Sequence, residues 1–208
     1  MSPRQIERFF RALARELDQP ATIILTGAAA GSLWGHVRPS LDIDFAIRPV
    51  RRGGASWTRI EEAVSRATQR TGVAVNYAED IDRWGPISLM DDRRHTTLYR
   101  RFEALEVRIL DPAYWSIGKI SRYLDPDVQD LVGVLSREQV PAKRLVALWA
   151  KALRSSPRST ACTLFRRQTE HFLRTYGKTV WGKTFDVEAA LRQFSRGMAP
   201  NRHRHRTS

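Results

Sequence analysis

The chain has 208 residues, with 35 basic and 22 acidic side chains for a formal net charge of +13, and 42% of its residues are hydrophobic. That apolar content can fill a core, which excludes wholesale disorder, and the length suits one domain or a compact domain with a helical appendage. The single cysteine, Cys162, excludes an intramolecular disulfide and a cysteine-clustered zinc site.

Residues 3–17 predict an amphipathic helix: Ile6, Phe9, Phe10, Leu13 and Leu17 recur at helical spacing, Ser2 stands at the N-cap and Pro20 closes it. The run 22–25 is short, apolar and β-branched, as in a buried strand. It ends at Gly27, and the small residues 28–32 predict a short helix packed closely on a sheet. Residues 41–47 alternate, with Leu41, Ile43, Phe45 and Ile47 on one face and Asp42, Asp44 and Ala46 on the other. An arginine-rich turn at 50–54 leads to a helix over 56–70 and a strand over 73–77. Residues 81–94 read as loop, broken at Gly85-Pro86. Strands over 96–99 and 104–110 pair around a turn at 101–103, and Asp111-Pro112 stops the second and opens a helix.

Helices over 112–124, 127–136, 141–154, 159–176 and 186–194 follow. The fold class expected is α/β (α+β): a mixed sheet flanked by helices over 1–111, a C-terminal helical region over 112–195 and a disordered basic tail over 196–208. The N-terminus lacks an apolar signal core, and no run approaches the roughly 18 unbroken apolar residues of a membrane span. A cytoplasmic chain with no membrane partner is therefore expected.

The net charge points to a polyanionic partner, because basic surfaces attract nucleic acid, nucleotides or anionic lipid without reading sequence. Only five of the 35 basic residues are lysine, however, and an arginine bias of that kind also arises from coding composition alone.

The sharpest chemical feature is Asp42-x-Asp44. Residues i and i+2 of a strand project from one face about 6–7 Å apart. Two carboxylates there repel and are costly to desolvate, and a divalent cation resolves both penalties. A partly exposed strand whose solvent face carries acids is the plain alternative. Upstream, the strand running into Gly27 and a small-residue helix start lets backbone N–H groups approach a phosphate. Metal-binding acids beside such a turn are the machinery of phosphoryl transfer.

A strand ending in Gly27-Ala28, a short helix, Arg38, then Ser40, Asp42 and Asp44 resembles the DNA polymerase β-like nucleotidyltransferases. The closer likeness is to their bacterial minimal branch, the AbiEii-like and DUF6036-type proteins, several of which are toxins of toxin–antitoxin pairs. A second block resembles the same branch: Lys119, Arg122 and Asp127-x-x-Asp130, on helices after the sheet. The resemblance spans residues 20–135. It implies a polymerase β-like core and Mg²⁺ (or Mn²⁺) on Asp42 and Asp44. Gly27, Ala28, Arg38, Ser40, Lys119 and Arg122 then face the nucleotide, while Asp127 and Asp130 hold the lysine or orient a nucleophile. An exposed helix face with charges at helical spacing is the other reading of that second block.

Two departures accompany the likeness. Ala28 stands where the branch carries a second Gly or Ser. Many polymerase β-like enzymes also add a third carboxylate on a later strand. Glu106 is the candidate here, although Arg108 shares its strand face and can simply pair with it.

The activity implied is transfer of a nucleoside monophosphate from a nucleoside triphosphate to an RNA, such as a tRNA 3′ end, or to a protein hydroxyl. A cognate antitoxin is the implied partner of a toxin. The alternative is a non-catalytic nucleotidyltransferase fold that binds nucleic acid or acts as an antitoxin-like protein. Transfer to an aminoglycoside-like hydroxyl fits less well, because cationic acceptors call for an acidic site. Among weaker signals, His36 reads as a surface or helix-end residue, and His171, His203 and His205 lack metal-ligand spacing. Cys162 reads as a buried thiol. Arg166, Arg167, Arg174, Tyr176 and Trp181 read equally as an RNA-facing surface or as a solvated helix face.

Overall fold

The structure is a computed structural model describing residues 1–35, 40–50 and 57–199, with Arg83 and Trp84 described for their backbone alone. The arginine-rich turn beyond Val50, His36, Arg38, His203, His205 and the tail from residue 200 lie outside the described residues. The chain is mixed α/β and forms two compact units: Met1–Trp84 with Asp91–Trp115, and Gly85–Met90 with Ser116–Ser208.

The first unit opens with α1 (Pro3–Glu16). Ser2 caps it as expected: its hydroxyl accepts from the Gln5 N–H at 3.3 Å, and the Gln5 side chain returns the bond to the Ser2 N–H at 2.7 Å. There follow β1 (Ala21–Thr26), α2 (Gly27–Leu33), β2 (Asp42–Pro49), α3 (Trp57–Thr71), β3 (Ala74–Ala78), β4 (Thr96–Phe102) and β5 (Leu105–Leu110). The segment expected to be loop before β4 contains two short 3₁₀ turns, Ile81–Trp84 and Asp92–Arg94.

The five strands lie in the order β3-β2-β1-β5-β4. β1 is antiparallel to β2 and parallel to β5, β2 is parallel to β3, and β4 is antiparallel to β5. Register fixes the faces. Leu25 lies opposite Phe45, and Phe45 meets Phe9 and Phe10 of α1 at ring-centroid distances of 5.9 and 5.6 Å, so one face of the sheet is the buried core under α1. Thr26, Asp42, Asp44 and Arg48 belong to the other face, because side chains alternate along a strand. Leu41, expected on the apolar face, is 90% exposed instead. It lies in the bend before β2, whose pairing begins only at Asp42 opposite Ala74.

The helix α4 (Pro112–Arg122) carries the division between the units, and α5 (Asp125–Arg137), α6 (Ala142–Ser155), α7 (Thr160–Trp181) and α8 (Val187–Met198) belong to the second. Trp149, Phe165, Phe172 and Phe194 are fully buried in it, and the Trp149 indole donates to the Ser116 hydroxyl at 2.9 Å. α7 runs five residues past its expected end. Gly177 does not stop the helix: a Cβ there would overlap the Phe185 ring, so this glycine is a packing site. Gly182, with φ +92°, ends the helix instead.

Candidate active site

The first cluster is built at the adjoining ends of β1, β2 and β3. Asp44 pairs with Thr26 on β1 and with Asn76 on β3, which places the three side chains on one face. The Asn76 amide donates to both acids, from Nδ2 to Asp42 Oδ2 at 2.7 Å and to Asp44 Oδ1 at 3.1 Å. Two acceptor-only groups thus converge on one donor nitrogen. Ser40, buried just before the strand, donates its hydroxyl to the Asp42 carbonyl at 2.6 Å, with Asp42 Oδ1 at 3.4 Å.

Gly27 completes this corner. It sits in the left-handed region at φ +65°, and a Cβ added to it would overlap Asp44 Oδ2, with Asp44 Cγ and Cβ at 2.8 and 2.9 Å. Only glycine permits the backbone to lie this close to the carboxylate. Its carbonyl accepts the Trp115 indole N–H at 2.8 Å, and Trp115 packs edge-on against Trp34 at 5.5 Å. Ala28 is buried in the first turn of α2.

Glu106 is not brought to this corner. It is in register with Thr22, four residues down β1 from the Thr26–Asp44 row, about 13 Å at 3.3 Å per residue. Its carboxylate is taken by Arg108 at 2.7 Å and Arg101 at 3.1 Å. The Arg108 hydrogen bond, with that of Arg101, outweighs the opposing effect of burial and holds the Glu106 carboxyl below its ordinary value. The residue in register beside Asp44 is instead Asn76. An asparagine inside an otherwise apolar strand pattern runs against β-propensity, and that was the one sequence signal for it. For Trp115 the only hint was that a buried indole needs an acceptor.

The donor set fits a hard divalent cation that takes only part of its shell from protein. Two carboxylates face one point, now bridged by an amide nitrogen, and Mg²⁺ ordinarily completes its shell with water and phosphate. Among the described residues no group of three or more His, Cys, Asp or Glu side chains could hold a metal. This makes Asn76→Asp informative. In chelator, a third acid without the bridging donor should destabilise the chain by about 1–3 kcal/mol. Millimolar Mg²⁺ should restore that loss by binding the folded state. Urea unfolding with EDTA and with Mg²⁺ measures both, and a variant whose stability ignores Mg²⁺ argues against a cation at this corner.

The second cluster lies in the helical unit. Lys119 of α4 is 2% exposed, and its ammonium donates to Asp127 at 2.9 Å and Asp130 at 2.6 Å, both on α5 and equally buried. Arg122, largely exposed, makes a two-pronged pair with Asp127 at 2.7 and 2.5 Å. The exposed-face reading of these charges is thereby corrected: α4 and α5 pack this face together, and the acids hold the lysine. Burial would raise the Asp127 carboxyl, but the hydrogen bonds from Arg122 and Lys119 outweigh it and hold it below its ordinary value.

The weaker signals resolve individually. Cys162, expected buried, is half-exposed in the first turn of α7, with its thiol donating to the Pro157 carbonyl at 3.1 Å. His171 shares a hydrogen bond with the Tyr123 hydroxyl at 2.8 Å. The Trp181 indole donates to the Val140 carbonyl at 2.8 Å, which makes it a packing residue.

No protein-family model, no curated protein and no solved structure matches the chain. No helix among the described residues is long and apolar enough to cross a membrane.

Proposed function

We propose that the chain is a Mg²⁺-dependent nucleotidyltransferase of the polymerase β-like, AbiEii/DUF6036-type branch. It moves a nucleoside monophosphate from a nucleoside triphosphate to a hydroxyl on RNA or protein, as the toxin of a toxin–antitoxin pair. The observation that carries this reading is the corner itself: two strand carboxylates converge on one point, beside a left-handed glycine whose backbone touches the second acid.

Asp42 and Asp44 hold Mg²⁺ or Mn²⁺, which when bound supplies charge neutralisation for the triphosphate. Asn76 orients both carboxylates, and Ser40 fixes the start of β2 through the Asp42 carbonyl. The Gly27–Ala28 turn and Arg38 neutralise charge on the phosphates. The acceptor hydroxyl attacks the α-phosphorus and gives its proton to solvent, the bond from the α-phosphorus to the bridging oxygen breaks, and pyrophosphate leaves with that electron pair. Lys119, Asp127 and Asp130 form a buried positioning cluster in the helical unit.

The test mixes the protein with each of four α-labelled nucleotides, Mg²⁺, total RNA and cell lysate. Label transfer that falls at least 100-fold in Asp42→Asn with Asp44→Asn is expected, since these residues touch the reacting group. No transfer with any nucleotide, or transfer indifferent to the double substitution, sinks the enzymatic reading. In that event a binding protein on the same fold is favoured, and the Asn76 bridge in place of a third acid is the observation that supports it.

A further inference from the structure

The charge excess is unevenly distributed. The segments of the first unit carry seventeen basic against fifteen acidic side chains, whereas residues 116–199 carry fifteen against seven. The net +13 therefore belongs almost wholly to the helical unit and the arginine-bearing tail. Part of it lines one face of α7.

On α7, Arg167, His171, Arg174 and Lys178 follow one another at spacings of four, three and four residues. At 3.6 residues per turn they fall within about 60° of arc and span about 16 Å of helix. They oppose the buried face of the same helix, which carries Phe165, Thr169 and Phe172. All four are exposed. The side chains of Arg167 and Lys178 make no hydrogen bond or ion pair among the described residues. Arg174 is paired only with the equally exposed Glu188 at 2.9 Å, a contact that water and salt screen. Arg166, beside the stripe, is spent on Glu170 at 2.8 Å.

Aromatic rings stand next to these charges. The His171 ring meets Tyr123 edge-on at 5.8 Å and Tyr176 at 6.3 Å, and both tyrosines are only partly buried. Three cations along one face that neutralise a phosphate backbone, with rings beside them to receive bases, match a single strand better than a duplex, whose bases are stacked away. Unpaired loops and ends are the form in which RNA is ordinarily recognised.

We propose that this face of α7, Arg167–His171–Arg174–Lys178 with Tyr123 beside it, binds a single-stranded RNA segment. As a binding surface it stands independently of the transferase reading. As the surface that selects RNA over protein for the acceptor, it rests on that reading.

The test is fluorescence anisotropy of a labelled 20-nucleotide single-stranded RNA against the full chain, in EDTA and without nucleotide, across a salt series. Activity at the aspartate corner cannot influence this signal. Affinity should fall with salt, and Arg167→Gln with Lys178→Gln should flatten the log–log slope by about 1.4, which is about a 25-fold loss at 0.1 M salt. Lys143→Gln with Arg192→Gln removes the same charge from α6 and α8 and should change affinity less than about threefold. Glu188→Gln, by freeing Arg174, should tighten binding. Urea midpoints confirm that each variant is folded. An equal loss in both double variants reduces the effect to net charge and overturns the proposal. Unchanged binding in the α7 variant overturns it as well, as does capture of phosphatidylserine vesicles or duplex DNA by a chain that ignores the RNA. Failure of label transfer with α7-dependent RNA binding intact removes the transferase reading alone.

Discussion

On the proposed function, Gly27→Ala should abolish most nucleotidyl transfer while leaving a folded protein. The added methyl would occupy the space of Asp44 Oδ2, and the backbone at φ +65° is one that alanine adopts only with strain. The strain costs about 1–2 kcal/mol, which a chain of this size can absorb. The overlap cannot be absorbed without moving something. Asp44 is held from the far side by Asn76 and across the ladder by Thr26, so either its carboxylate rotates away or the strand end of β1 shifts. A displacement near 1 Å at a reacting group costs about 100-fold in rate, and label transfer should fall by at least that much.

A double-mutant cycle separates the local overlap from a general loss. In an Asp44→Ala background the Oδ2 and Cγ overlaps vanish, so Gly27→Ala should cost less stability there than in the wild-type chain. Urea unfolding of the four proteins reads this coupling. Additive losses, or a Gly27→Ala protein with wild-type transfer, would show that the close approach of Gly27 to Asp44 has no role.

This corner also shows what a sequence discloses and what it withholds. The alternation over residues 41–47 correctly separates Asp42 and Asp44 from Ile43 and Phe45, because period-two patterning is a local property. The need for Gly27 was legible as a strand-to-helix turn, but its partner was not: the residue it touches is seventeen positions away and depends on the β1–β2 register. Glu106 and Asn76 illustrate the same limit. Both lie on strands the pattern identifies, yet which of them stands beside Asp44 is decided by strand order, and local composition carries no strand order. Lys119 stands in the second block that carries the resemblance, but its burial arises from α4 meeting α5, and charges at helical spacing are ordinarily a solvated face.

The largest stability effect is expected at that buried lysine. Lys119→Met preserves the length of the side chain and removes the ammonium, leaving Asp127 and Asp130 facing each other out of water. Removing one member of a buried ion cluster typically costs about 3–5 kcal/mol. Asp127 keeps its two-pronged pair with Arg122 and the Leu124 N–H, and removing the second carboxylate relieves the repulsion between the two acids. Lys119→Met with Asp130→Leu should therefore regain part of the stability.

The pH dependence follows from the lowered Asp127 carboxyl. A group whose folded value is depressed contributes stability that is fully present above its unfolded value, about 3.9, and is lost as pH falls through the folded value. The wild-type chain should lose stability below about pH 4, and Asp127→Asn, weaker at neutral pH, should show a shallower loss over the same range. Urea midpoints between pH 3 and 7 test both statements. The same measurement separates the two roles of the lysine. If Lys119 mainly meets a phosphate, Lys119→Met will weaken nucleotide binding and leave the unfolding free energy within about 1 kcal/mol of wild type. If the two aspartates mainly hold it, the unfolding free energy falls by about 3–5 kcal/mol whether or not nucleotide is present, and the distances within 3 Å favour that outcome.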